Sequence, residues 1–169
     1  FGLSERARIV VTSKDRVAAD AIGSIEDLAK DEWRGRICTR PGSHVYNRAL
    51  MASLIAAHGA EVAENWARGF VANLALRPQG NDRAQAKAIF QGICDVAIMN
   101  SYYYGNMKFS DDADQRALAS ALRLVSTNQQ DRGNHINISG AGIAKHSPNK
   151  KEAVAFLEFL TGAVAQQLY

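Results

Sequence analysis

With 169 residues, 47% of them hydrophobic and 22% charged, the chain has enough apolar content for a packed core and lacks the charge excess that keeps a chain disordered. Its 20 basic and 17 acidic residues give a net charge of +3 and are interspersed along the chain, with no basic block, which argues against nucleic acid as a partner. No apolar run approaches the roughly 20 residues that a membrane-spanning helix needs.

The chain opens on Phe1-Gly2-Leu3 without a methionine and reads as processed or truncated. Arg8-Ile9-Val10-Val11-Thr12 is expected to be the first strand. Ser24-Ile25-Glu26-Asp27 has the form of a capping box and should open a short helix through Leu28 and Ala29. Trp33-Arg34-Gly35 turns into a short strand, Arg36 to Thr39, that carries Cys38. After Arg40-Pro41-Gly42-Ser43, apolar residues at helical spacing (Val45, Leu50, Leu54, Ile55, Ala57) predict a helix with Ser43 as its N-cap and Gly59 just past its end. A second helix carries Val62, Ala63, Trp66, Phe70 and Val71. Arg77 to Arg83 is a loop, and a third helix with Ala86, Ile89 and Phe90 follows.

Cys94 to Met99 then reads as a strand, and directly after its Asn100 and Ser101 stand three tyrosines in a row, Tyr102, Tyr103 and Tyr104. Asp111 to Leu122 reads as helix, Leu122 to Val125 as strand and Thr127 to Gly133 as a polar linker. His135 to Gly140 alternates polar and apolar residues as a half-buried strand does, with Gly142-Ile143-Ala144 as its companion. Asn149 to Tyr169 is expected to be helical, with Ala153, Val154, Phe156, Leu157 and Leu160 on one face. Short β-branched runs alternating with longer helical segments predict an α/β fold with a mostly parallel sheet flanked by helices.

In such sheets ligands collect beyond the carboxyl ends of strands, where the tyrosines should emerge. A phenolate is a hard anionic oxygen donor, suited to a hard, highly charged cation, and such a cation makes the deprotonated form favourable at neutral pH. Helix starts near Ser43 and Asn81 would aim backbone N–H groups at the same region and favour an anion. Arg40, Ser43, His44 and Asn81 are therefore candidate anion-binding residues, and Tyr46, in the first turn of its helix, can point into that space. His135 and His146 are read as structural. Cys38 and Cys94, on two short strands, are either a disulfide, if the strands are neighbours, or two buried thiols. There is no GxSxG elbow, HExxH, Walker loop or Cys–His pair, so the chain is not expected to be an enzyme of those classes.

The segments Val45 to Leu50, Arg77 to Arg83, Cys94 to Gly105 and Gln130 to Gly142 resemble, in order and spacing, those of the periplasmic ferric-iron-binding proteins of bacterial ABC importers. The resemblance implies a class II periplasmic-binding-protein lobe with hinge crossover strands. It also implies Fe³⁺ held by the phenolates of Tyr102, Tyr103 and Tyr46, with Tyr104 as a packing neighbour. A synergistic anion such as carbonate or phosphate would sit at the helix N-termini. The function implied is binding of Fe³⁺ in the periplasm and its delivery to an inner-membrane permease. By the same likeness residues 1–7 correspond to a hinge crossover, 8–132 to the second lobe, and 133–169 to the return crossover with part of the first lobe. Most of that first lobe, with its further ligand, is missing, so the chain is read as a fragment that self-associates, whereas the whole protein is expected to be a monomer. The rival reading is a lobe for an oxyanion or small organic solute, without metal.

Overall fold

The computed structural model describes residues 1–168, which divide into two compact units: Ala7–His135, and a smaller unit made of Phe1–Arg6 with the chain from Ile136 onward. The strands are β1 (Gly2–Ser13), β2 (Ile37–Cys38), β3 (Val96–Asn100), β4 (Leu122–Val125) and β5 (His135–Gly140). The helices are α1 (Val45–His58), α2 (Ala60–Ala72), α3 (Asp82–Phe90), α4 (Ser101–Lys108), α5 (Ala113–Ala121), α6 (Lys150–Thr161) and α7 (Ala163–Gln166). Two 3-10 turns, Glu26–Ala29 and Asp31–Trp33, lie between β1 and β2.

The strand order is β2-β3-β1-β4, and β5 also pairs with β1. β2 and β3 are parallel, while β1 runs antiparallel to both β3 and β4. Hence β2, β3 and β4 share one direction, and β1 is inserted among them the other way. Side chains of a strand alternate between the two faces, and the core divides accordingly. Val10, Val96 and Ile98 face Trp33, Leu50, Leu54 and Phe70. Ile9, Val11, Ala97 and Met99 face Ala86, Ile89, Met107 and Leu122. Both faces are dry, which explains the unbroken apolar runs in β1 and β3.

The expected capping box forms around a 3-10 turn: Ser24 Oγ accepts from Asp27 N–H, and Asp27 Oδ2 accepts from Ser24 N–H. Three expectations are corrected. The residues Thr127 to Gly133 are not a loose linker. Thr127 and Asn128 are buried, and Asn128, at φ 59, accepts from Ile25 N–H at 2.9 Å and donates to Glu26 at 2.8 Å. Asparagine tolerates that left-handed conformation, and its side chain spans the gap to the 3-10 turn. Gly142 to Ala144 forms no strand. Gly140 backs directly onto the N-terminus, where an added Cβ would stand 2.8 Å from the Phe1 carbonyl. The terminal helical segment is broken at Gly162 into α6 and α7; the expectation for Tyr169 lies outside the described residues. No helix among the described residues is long and apolar enough to cross a membrane.

Candidate functional site

The loop before α3 turns at Gly80, whose φ of +68 favours glycine and whose 2.7 Å clearance to the Ala84 Cβ leaves no room for a side chain. Asn81 then caps α3, its Oδ1 accepting from Ala84 N–H at 3.0 Å. This delivers Asp82, the first helical residue, fully buried and at the positive end of the helix dipole. Asp82 Oδ2 accepts from Arg8 of β1 at 2.8 Å and from the backbone N–H of Asn100, the last residue of β3, at 2.8 Å. Its Oδ1 accepts from Arg40 at 3.0 Å. Arg8 also donates to Asn47 Oδ1 of α1 at 2.7 Å, and Asn47 donates to the Arg40 carbonyl at 2.9 Å.

The resulting node joins β1, the loop before α1, α1, α3 and the end of β3. It holds two guanidiniums against one carboxylate and so buries a net positive charge. Burial pushes the Arg8 pKa down, and Asp82 opposes that shift. Arg8 Nε and Arg40 Nε are buried and have no hydrogen-bond partner among the described residues. Arg40 and Arg8 stand 4.9 and 5.7 Å from the centroid of the Tyr46 ring, as cation–π neighbours.

Above this node the phenols gather. Tyr102 and Tyr103 fall in the first turn of α4, so the triple-tyrosine run is helical from its start and is not an extension of the strand. The Tyr46 and Tyr102 hydroxyls meet at 3.2 Å, and the rings of Tyr102 and Tyr103 lie 4.4 Å apart. The Tyr102 pKa is raised, first by burial and then by hydrogen bonding with Tyr103 and Tyr46, while Asn100 pulls the other way. Tyr104 packs, half-buried, against the second core cluster.

The remaining predicted residues are placed less uniformly. Arg40 is buried and is spent largely on Asp82. The N-cap of α1 is His44 and not Ser43: its Nδ1 accepts from Tyr46 N–H at 3.2 Å, and Ser43 is exposed in the turn before it. The His44 ring meets Tyr46 edge-on at 4.6 Å, and its pKa is lowered by burial and then by the Arg40 charge, which keeps Nδ1 available as an acceptor. Cys38 and Cys94 form a disulfide with Cα atoms 5.9 Å apart, beside the β2–β3 ladder. Sequence reasoning missed Arg8, Asn47, Asp82 and Asn100. An acidic residue after an N-cap reads as an ordinary helix start, and a partner 74 positions away leaves no local trace.

Among the described residues no group of three or more His, Cys, Asp or Glu could hold a metal ion. Residues 45–167 match the description of the bacterial extracellular solute-binding proteins. The chain belongs to that family. It is 46% identical over 171 residues to iron uptake protein A2 of Synechocystis sp., covering all of this chain and 49% of that protein. Apo FutA2 from Synechocystis PCC6803 superposes with a TM-score of 0.95 at 45% identity, over 98% of this chain and 53% of that one. A Trichodesmium protein (IdiA, FutA) in complex with iron and citrate ligands gives the same TM-score, 0.95, and the same identity, 45%, over 99% and 53%. The chain spans about half the length of the curated relatives it matches. Its fold is therefore that of the periplasmic ferric-binding proteins.

Proposed function

We propose that this chain is the iron-holding part of a periplasmic protein that binds Fe³⁺ and hands it to an ABC importer permease in the inner membrane. The observation that carries this reading is the 3.2 Å approach of the Tyr46 and Tyr102 hydroxyls from two different helices. Two donors at right angles on an octahedral ion with bonds of about 2 Å stand about 3 Å apart, so the pair is already spaced for one cation. Tyr103, against Tyr102, supplies the third oxygen. The names of the relatives, iron uptake and ferric iron-binding proteins, support the choice of Fe³⁺.

Charge balance extends the proposal. Three phenolates offset a trivalent ion, and the net positive node beneath them favours an accompanying anion, carbonate or phosphate. Arg40 and the helix starts at His44 and Asn81, with Ser43 nearby in sequence, are its proposed surroundings. Because burial and neighbouring hydroxyls favour the protonated Tyr102, iron must displace protons to bind, and acid favours release. Residues 1–7 are proposed as a hinge crossover, 8–132 as the second lobe, and 133–169 as the return crossover with part of a first lobe. The division of the chain after Arg6 and after His135 supports this reading.

The test uses the full-length protein. Tyr102→Phe and Tyr103→Phe keep the ring and delete the oxygen, so each should lose the visible iron–phenolate absorbance and most of the Fe³⁺ affinity, with Tyr104→Phe mild. Wild-type absorbance and affinity in both would sink the assignment. The metal-free oxyanion reading is favoured by the buried arginine pair alone, and it gains if phosphate binds while added Fe³⁺ produces no colour.

A further inference from the structure

We propose that Asp82 is a positioning residue: without reaching the phenol oxygens, its carboxylate sets the separation of the Tyr46 and Tyr102 hydroxyls. The inference rests on the proposed iron site and names what holds that site in shape.

The two phenols stand on separate helices, α1 and α4, whose starts are 56 positions apart in their contact. Two routes of hydrogen bonds converge from them on one side chain. From Tyr102 the route is two residues long: α4 begins directly after Asn100, and the Asn100 N–H is held by Asp82 Oδ2 at 2.8 Å. From Tyr46 it runs through the adjacent Asn47, which accepts from Arg8 at 2.7 Å, and Arg8 donates to that same Oδ2 at 2.8 Å. Arg40 reinforces the second route, with its guanidinium on Oδ1 at 3.0 Å and over the Tyr46 ring, and its carbonyl bound by Asn47. Asp82 is fully buried, so water does not replace these bonds when one is lost.

A carboxylate accepts with both oxygens and up to four lone pairs; here three donors from three elements share it. An amide in its place keeps one acceptor oxygen and presents a donor to a guanidinium, which must turn away. The Arg8 and Arg40 anchors then shift, and with them the first turn of α1. Outer partners of this kind typically change metal affinity by roughly 10–100-fold without touching the ion.

The experiment compares Asp82→Asn, Asn47→Ala and Leu28→Ala with wild type in the full-length protein. Asn47→Ala cuts only the α1 route and leaves Asp82 paired with both arginines, so it guards against a failure of Asp82→Asn to fold. Leu28 is fully buried but makes no bond to the node, and it controls for general destabilisation. The readouts are Fe³⁺ affinity by competition with a chelator, the energy of the iron–phenolate band, and the ring NMR signals of Tyr46 and Tyr102 in the metal-free protein. The expectation is a loss of about tenfold or more in affinity for Asp82→Asn, a smaller loss for Asn47→Ala, and a shifted band in both. Ring signals of Tyr46 should move in both variants, those of Tyr102 in Asp82→Asn, and none in Leu28→Ala.

If both node variants lose stability as Leu28→Ala does, with band, affinity and ring signals of the wild type, the proposal is overturned. If wild-type protein shows no iron–phenolate band, it is the iron reading that fails. The metal-free ring signals then still decide for or against Asp82.

Discussion

The unit Ala7–His135 and the smaller unit of Phe1–Arg6 with Ile136 onward are built from similar elements, yet they bury apolar side chains to very different degrees. Both core clusters lie wholly within the first. In the second, only Leu157 and Ala165 among the described apolar residues are buried, while Ile138, Phe156, Phe159 and Val164 are more than half exposed. The smaller unit is held mainly by polar and backbone bonds, among them Phe1 with Ala141 and Arg6 with Ser139. Desolvation scales with apolar area removed from water, so the two units should differ in local stability by several kcal/mol. The phenols and their node sit in the stable one, where a site that must keep donor atoms in register benefits from rigid neighbours.

The comparison is sharpened most strongly by the disulfide. Cys38 and Cys94 close a loop of 56 positions inside the larger unit, which restricts the unfolded chain and stabilises the fold by about 4 kcal/mol in the chain-entropy model. Reduction should lower the denaturation midpoint of the larger unit. Hydrogen-exchange rates in α6 should stay as they were; a uniform loss of protection in both units would remove the distinction. A smaller contrast comes from truncating one apolar side chain in each. Leu54→Ala, at a position 1% exposed, should cost about 2–5 kcal/mol, whereas Phe156→Ala, 60% exposed, should stay within about 0.5 kcal/mol. Equal shifts in urea midpoint would show that the Phe156 face is covered in solution.

The same contrast governs how much could be read from the sequence. In the larger unit the periods are good guides, because the apolar stripe of each helix and both faces of β3 pack into the core: α1, α2, α3, β3 and β4 fall where hydrophobic spacing puts them, while β1 starts earlier than expected, at Gly2. Spacing still overcounted the buried face, since Val45, Ile55, Val62 and Val71 are exposed on helices whose inner stripe is carried by Leu50, Leu54, Ala63 and Phe70. Tyr102 stands at the end of β3, where the strand-end argument places it, and the position of Tyr46 in the first turn of α1 lets it point into the same space. The node beneath them was not legible, because a buried ion pair between Arg8 and Asp82 is specified by packing across the sheet and by no local pattern. The segment Thr127 to Gly133 failed for a related reason: its polar residues make specific bonds to a distant turn, and polarity alone looks the same in a linker.

That turn offers the subtlest test, within the larger unit itself. Glu26 receives hydrogen bonds from Asn128, Arg132 and His58, and these outweigh burial, which acts in the opposite direction, to lower its pKa from 4.5 to about 2. A carboxylate whose folded pKa is depressed stabilises the fold fully above its unfolded pKa, and the contribution is lost as pH falls through the folded value. The window is therefore from about 4.5 down to about 2. Side-chain exposure of 32% means solvent screens part of the interaction, so the contribution is about 1 kcal/mol and not the full value of the shift. Glu26→Gln should lower the urea midpoint relative to wild type at pH 6, and the gap should close progressively between pH 4.5 and pH 2, as the wild-type carboxyl takes up its proton in both states. The gap should also narrow in high salt, where the Arg132 and His58 contacts are screened. A difference that stays constant from pH 6 to pH 2 would mean that the Glu26 side chain acts through shape and neutral hydrogen bonding, and that the charge of this strut contributes nothing to anchoring residues 127–133.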